Sequence, residues 1–243
     1  MSSAENRIGF IFDLDGTLVN STDISKTIES EIVKKFNIEI SDEQRKELEL
    51  LAESMFQETY STRLAIKIML TLLKKVGLKP FERVKAMIMA GKIYARERKK
   101  VCLYDGVENL FKFLDENSIP YVIVTSASDK DVIKDFRNHP DLYQKLKPKI
   151  ISQDSVKNVK PHPEPLEKAS KLLRLPPNRI VVVGDTKYDI LFGKNNGALT
   201  IGVTTGIYTE ERLRDFEPDF IINSVVEIPE IFDKIIEKIS SNH

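Results

Sequence analysis

Two aspartates one residue apart, Asp13-Leu14-Asp15, follow directly on the apolar run Ile8-Gly9-Phe10-Ile11-Phe12. In an extended chain, side chains at i and i+2 point to the same side, so both carboxylates face one site while Leu14 turns back into the core. Gly16 and Thr17 complete the stretch, and an Asp-Gly hairpin turn is the competing explanation. Three further stations have the same character. Thr125-Ser126 follows the apolar run Tyr121–Val124, where a hydroxyl and free backbone N–H groups can receive an anion, although Ser126, Ser128 or Asp129 could equally cap a helix. Lys160 stands in Lys160-Pro161-His162-Pro163, a loop stiffened by proline so that its ammonium is aimed at low entropic cost. Gly184-Asp185-Thr186-Lys187-Tyr188-Asp189 follows Ile180–Val183, with two carboxylates one helical turn apart around a helix start, where the dipole alone would also favour acid. His162 and His139 lack a second titrating partner and read as loop residues.

Taken together, an acid pair, a hydroxyl, a lysine and a second acid pair supply the parts that phosphoryl transfer needs. A carboxylate is ionised at pH 7, so Asp13 can attack phosphorus without a base. Nucleophile and substrate are both anions. A Mg²⁺ held by oxygens of Asp13, Asp185 and a backbone carbonyl, with Asp15 and Asp189 as further candidate ligands, would offset their repulsion. Lys160, Thr125, Ser126 and the turn at Gly16 would receive the phosphoryl oxygens. Asp15 would protonate the leaving oxygen and later take a proton from water.

The elements that must position these residues follow from the hydrophobic pattern. The runs named above, with Leu199–Val203, Phe220–Ile222 and a weaker Lys149–Ile151, are continuous rather than alternating. That suits strands buried on both faces of a parallel sheet. Helical stripes lie between them: Val107, Leu110, Phe111 and Leu114; a helix opened by Pro163 or Pro165 that runs to Leu173; one from Lys187 capped by Gly197; and a last one through Ile228, Ile231, Phe232, Ile235 and Ile239. The expected fold is therefore α/β, a doubly wound parallel sheet whose strand ends carry the four stations. Residues 20–100 break the alternation and read as four helices, with a Ser41/Gln44 capping box and stripes through Ile24, Ile28, Ile32 and Phe36, through Leu48, Leu51 and Met55, and through Leu64, Ile68, Leu72 and Val76. The expected division is a core of residues 1–19 and 101–243 and an inserted helical domain of residues 20–100.

The order and spacing of the four stations resemble the haloacid dehalogenase superfamily of phosphohydrolases: Asp13–Thr17, Thr125-Ser126, Lys160-Pro161-x-Pro163 and Gly184–Asp189 match its four motifs, over Ile8–Val19 and Cys102–Ile228. Gly193–Gly197, Gly202–Gly206 and Pro218–Phe220 look like its phosphoglycolate phosphatase-type branch, and the insert has the place of that branch's helical cap. The resemblance implies a covalent aspartyl-phosphate on Asp13, a Mg²⁺ cofactor and a small phosphorylated metabolite as substrate, with phosphoglycolate as the default. An acid at position 15 sets dehalogenases aside and leaves a phosphatase, a phosphomutase of the β-phosphoglucomutase type or an inorganic pyrophosphatase. A non-catalytic phospho-receiver module is a remoter alternative, since such modules carry the phosphorylated Asp after the third strand. No glycine lies between Gly16 and Gly77, so the branch's glycine-containing substrate loop has no counterpart; Tyr60, Arg63 and Lys67 are candidate substrate contacts or a solvated face. If the insert is a lid hinged near Val19–Ser21 and Lys100–Tyr104, small phosphates are favoured over macromolecules.

Composition excludes several other classes. The 243 residues carry 37 basic and 37 acidic side chains, and zero net charge lacks the footprint of a nucleic-acid binder. No apolar run approaches the roughly 18–20 residues of a membrane span. Met1 to Arg7 is polar and runs straight into a strand pattern, so no signal peptide is expected. The single Cys102 allows no internal disulfide and fits a reducing, cytoplasmic setting. A monomer or homodimer is expected, and plentiful Lys, Glu and Ile with few Gln lean towards a heat-adapted source.

Overall fold

The structure is a computed structural model that describes residues 7–55 and 62–241. Tyr60 falls outside those residues, as does the start of the chain before Arg7, and the side chains of Met55, Arg63 and Leu64 lie outside what is described. Strand β1 (Gly9–Phe12) is followed by helices α1 (Thr22–Phe36), α2 (Asp42–Met55), α3 (Thr62–Lys75) and α4 (Pro80–Glu97). Then come α5 (Val107–Glu116), β2 (Tyr121–Val124), α6 (Asp129–Asp135), α7 (Pro140–Leu146), β3 (Ile150–Ile151) and α8 (Glu164–Leu173). The chain continues as β4 (Ile180–Gly184), α9 (Lys187–Asn195), β5 (Leu199–Val203), α10 (Glu210–Arg214), β6 (Phe220–Ile222) and α11 (Ile228–Ser241). By internal contacts it divides into one unit of Met1–Thr22 with Val101–His243 and another of Asp23–Lys100.

In the first unit six parallel strands form one sheet in the order β3-β2-β1-β4-β5-β6. The chain winds outward from β1 through β2 to β3, then returns to β4 on the other side of β1. The reversal of direction lies between β1 and β4, where open α/β sheets bind ligands at their carboxyl edge. Strands β1, β2, β4 and β5 are buried at every residue, which explains their unbroken apolar runs. Alternate residues serve opposite faces. Ile11, Val122, Val124 and Val182 pack with Leu166, Ala169 and Leu173 of α8 and Phe192 of α9. Phe10 and Phe12 stack on the other face against Phe111 of α5 and Phe232 of α11. Each fully buried side chain of this size contributes about 1.5–3 kcal/mol, so the strand ends are held rigidly.

The second unit is all helical. Ile32, Leu73, Leu78, Ala86 and Ala90 form its centre, with Ile28, Phe36, Met69 and Val76 against them. The Ser41/Gln44 box is formed reciprocally: Gln44 N donates to Ser41 Oγ at 3.1 Å, and Ser41 N donates to Gln44 Oε1 at 3.1 Å. Lys67 lies exposed on α3. Helix α3 ends at Gly77, whose φ of +86° suits the turn, and Pro80 opens α4. Among the described residues no helix is long and apolar enough to cross a membrane.

Candidate active site

Asp13 follows β1 and Asp185 follows β4, the two neighbouring strands at the reversal point; Asp189 lies in the first turn of α9. All three carboxylates are buried and offer oxygens within 4.8 Å of one another. The ammonium of Lys160 reaches two of them, Asp13 Oδ1 at 2.5 Å and Asp189 Oδ1 at 2.6 Å, with a side chain only 7% exposed. One residue each from the ends of two strands, one from a helix start and one from the β3–α8 loop thus meet across 147 and 29 positions of sequence.

Local structure fixes each group. The loop after Asp13 turns at Gly16, at φ +79°, and closes on itself through Gly16 N to Val19 O, 2.9 Å. Asp189 accepts from Thr186 N at 3.1 Å and Thr186 Oγ1 at 2.7 Å, so it completes a capping box for α9 while its other oxygen takes Lys160. The same acid therefore serves the start of α9 and the ion pair with Lys160. Thr125 is buried at the end of β2, and its hydroxyl accepts from Ala127 N at 2.9 Å; Ser126 beside it is half-buried. The cap of α6 is Ser128, which accepts from Asp131 N. His162 Nδ1 accepts from Glu164 N at 3.2 Å, and His139 pairs with Glu108 at 2.8 Å; neither joins the carboxylate group. Asp15 is half-buried two residues past Asp13, with its backbone bridged to Val19, and its carboxylate is not one of the three that cluster.

Glycines shape the space that the carboxylates occupy. A Cβ at Gly184 would sit 2.2 Å from Asp189 Cγ, and one at Gly16 would sit 2.6 Å from Asp185 Oδ2. The segment after β5 is a further part of the site. Gly206 lies flat against Asp185, Ile207 N donates to Asp185 Oδ2 at 3.0 Å, and Thr205 Oγ1 donates to Gly16 O at 2.7 Å. Tyr104 Oη secures the segment by donating to Thr205 O at 2.7 Å. In the sequence Gly202–Gly206 stand out only by their resemblance to the phosphoglycolate phosphatase-type branch. Their place after a buried strand, at the same sheet edge as the other stations, was the available signal.

Burial dominates the electrostatics. It raises the Asp13 carboxyl well above the usual carboxylate range; Lys160 pulls it down, and Asp189 and Asp185 push it up further. Burial and then the Asp189 carboxylate push Asp185 up to about 7, against the Ile207 N–H and Lys160. Burial works against the charge of Lys160, yet Asp13 and Asp189 outweigh it and hold the ammonium above the ordinary lysine value. If all three carboxylates were ionised they would exceed the one ammonium by two negative charges, and this mutual repulsion adds to burial in raising Asp13 and Asp185. Hard oxygen donors that repel one another in this way fit a hard divalent cation such as Mg²⁺, which Asp13, Asp185 and Asp189 could hold.

Residues 10–203 match the family model described as haloacid dehalogenase-like hydrolase, and the chain belongs to that family of hydrolases. It is 32% identical over 226 residues to the pyrophosphatase PpaX of Halalkalibacterium halodurans, covering 91% of this chain and 94% of that protein. It is 30% identical over 221 residues to the PpaX of Anoxybacillus flavithermus, covering 90% and 93%. A solved structure of a conserved haloacid dehalogenase-like protein of unknown function from Agrobacterium tumefaciens superposes with a TM-score of 0.71 over 94% of this chain and 99% of that one, at 22% identity, a likeness of fold.

Proposed function

We propose that the chain is a Mg²⁺-dependent phosphohydrolase of small phosphate compounds that works through an aspartyl-phosphate on Asp13. The observation that carries this reading is the Lys160 ammonium held between Asp13 and Asp189 with Asp185 beside them. Lys160 is the cation that would meet the phosphoryl oxygens, and Asp13 is the oxygen nucleophile beside it. Mg²⁺ bound by Asp13, Asp185 and Asp189 would supply charge neutralisation for the incoming phosphoryl group. Asp13 attacks phosphorus, the bond from phosphorus to the leaving oxygen breaks, and Asp15 gives that oxygen a proton. Water then attacks the phosphorus of the aspartyl-phosphate, the bond to Asp13 Oδ breaks, and Asp15 takes back a proton as inorganic phosphate leaves. Lys160 and the Thr125 hydroxyl, with the backbone at Ser126 and Gly16, receive the phosphoryl oxygens throughout.

The substrate that the relatives favour is pyrophosphate, taken here as inorganic pyrophosphate, because the proteins alike over 90% and 91% of the chain are named pyrophosphatases. Phosphoglycolate, the default of the resemblance, is the competitor. The test compares kcat/KM for inorganic pyrophosphate, phosphoglycolate and p-nitrophenyl phosphate with Mg²⁺, and Asp13→Asn as control. Pyrophosphate is expected to lead. Turnover of all three by Asp13→Asn at the wild-type rate would overturn the mechanism, and a lead for phosphoglycolate would overturn the substrate.

A further inference from the structure

Lys160 must hold its ammonium within hydrogen-bond reach of two carboxylates, yet it sits in the long connection between β3 and α8, and such connections are ordinarily the mobile parts of a fold. The part of that connection next to Lys160 is held by the carboxylate of Glu164. Its Oε1 accepts from Lys157 N at 2.8 Å, and its Oε2 accepts from Asn158 N at 3.0 Å and Asn158 Nδ2 at 3.1 Å. Two consecutive main-chain N–H groups that no helix or strand uses are thereby tied to one anion, by charge-assisted bonds about twice as strong as neutral ones. The anchored residues lie just before Lys160 and the anchor lies four after it, so the carboxylate closes a ring of backbone with Lys160 inside it. His162 N to Val159 O at 3.0 Å, and Glu164 N to His162 Nδ1 at 3.2 Å, tighten the same ring.

We propose that Glu164 is a positioning residue for phosphoryl transfer: it fixes the Lys157–Glu164 ring and through it aims the Lys160 ammonium at Asp13 and Asp189. The assignment rests on the phosphohydrolase reading above. Glu164 touches none of the reacting groups itself; its contacts are to the loop. An acid in the first turn of α8 would be favoured by the helix dipole in any case, and Glu167 stands in that turn too. The dipole does not explain why the donors come from six and seven residues upstream rather than from the helix's own first turn. The Glu164 carboxyl lies below its ordinary pKa, chiefly through the Lys157 N–H, as a carboxylate that accepts such bonds should.

The experiment compares wild type, Glu164→Ala, Glu164→Gln and Glu167→Ala in Mg²⁺-dependent hydrolysis of inorganic pyrophosphate and p-nitrophenyl phosphate, with amide hydrogen exchange on each. A displaced catalytic group of about 1 Å costs on the order of 10²-fold, so Glu164→Ala should lose roughly 10- to 100-fold in kcat. Glu164→Gln keeps one acceptor oxygen and should recover part of that loss, whereas Glu167→Ala, which removes the same charge from the same turn, should match wild type. Exchange at the Lys157 and Asn158 amides should speed up in Glu164→Ala and not in Glu167→Ala. A Glu164→Ala protein with wild-type kcat would overturn the assignment, as would an equal loss in Glu167→Ala. Wild-type protein inactive on both substrates would overturn the phosphohydrolase reading instead, a result the Glu164 variants cannot mimic.

Discussion

Gly206 offers the sharpest test of how the site is built, because it does no chemistry. A Cβ added there would lie 1.8 Å from Asp185 Oδ2 and 2.2 Å from both Cβ and Cγ of Asp185. Real contacts of a Cβ do not fall under 3.0 Å, so in Gly206→Ala the carboxylate or the segment must retreat by about 1.2 Å or more. The segment has little room to move: Thr205 Oγ1 is bonded to Gly16 O, Tyr104 Oη to Thr205 O, and Thr204 N to Ile222 O at 3.1 Å. On its other side Asp185 Oδ2 fills the space that a Cβ at Gly16 would need, so it stands close against that glycine. Whichever part yields, the bond from Ile207 N to Asp185 Oδ2 is stretched. A misplacement of about 1 Å at a reacting centre costs on the order of 10²-fold, so kcat/KM should fall by at least about that factor. The Mg²⁺ concentration for half-maximal rate should rise as well, because the displaced group is a proposed ligand. The assay is steady-state hydrolysis over a Mg²⁺ series, with circular dichroism to show that the fold persists. Wild-type kcat/KM and wild-type Mg²⁺ dependence in a folded Gly206→Ala protein would refute the claim that this segment sets the position of Asp185.

The remaining predictions follow from the same geometry. Because the folded pKa of Asp185 is raised to about 7, the folded chain binds more protons than the unfolded one between about pH 4 and pH 7, and stability without metal should fall as pH rises through that window. Mg²⁺ should restore it, with proton release largest near pH 6 by calorimetry in buffers of different ionisation enthalpy; no proton release there would contradict the raised value. Gly91 lies in α4 with nothing within 4 Å of an added Cβ, so Gly91→Ala should stabilise by about 0.5–1 kcal/mol in denaturant titration and leave turnover unchanged. Asp13→Asn should abolish turnover, whereas Asp15→Asn should give a burst of aryl alcohol near one per site from an activated aryl phosphate and then turn over about 10²–10⁴-fold more slowly. An equal burst in Asp13→Asn would place the nucleophile elsewhere.

The sheet was readable because burial on both faces removes polar residues from every strand of a parallel sheet: Phe10, Ile11 and Phe12 are all buried, and so are Val181, Val182 and Val183. Strand ends could then be read off, and with them Asp13, Thr125 and Asp185. The short helices α6 and α7 left no periodic signal in seven residues each; only the Ser128 cap marks the first. The parts of the site that sequence does not announce are those made by contacts between distant segments. Ile207 N reaches Asp185 across 22 residues, and Thr205 reaches Gly16 across 189, and neither pair has a pattern of its own. The side-chain alternation that put Asp15 beside Asp13 holds only while the chain is extended. The turn at Gly16 begins at once, and the Asp15 carboxylate stays outside the buried group.

At two positions the structural role and the proposed chemical role fall on one side chain, and mutations there must be read accordingly. Asp189 closes a capping box with Thr186 and also binds Lys160. The Thr125 hydroxyl holds the turn at Ala127 and also stands at the end of β2, at the edge where the phosphoryl group is proposed to sit. A cap lost to alanine costs about 0.5–2 kcal/mol, so Asp189→Ala would lose stability and an ion pair together, and lower activity could come from either. Asp189→Asn separates them, because its amide oxygen can still accept from Thr186 while its charge towards Lys160 is gone. A folded Asp189→Asn protein near wild-type stability, with weakened Mg²⁺ dependence, would assign the charge to the site and the oxygen to the helix. Equal losses of stability in Asp189→Asn and Asp189→Ala would mean that the fold itself requires the ion pair.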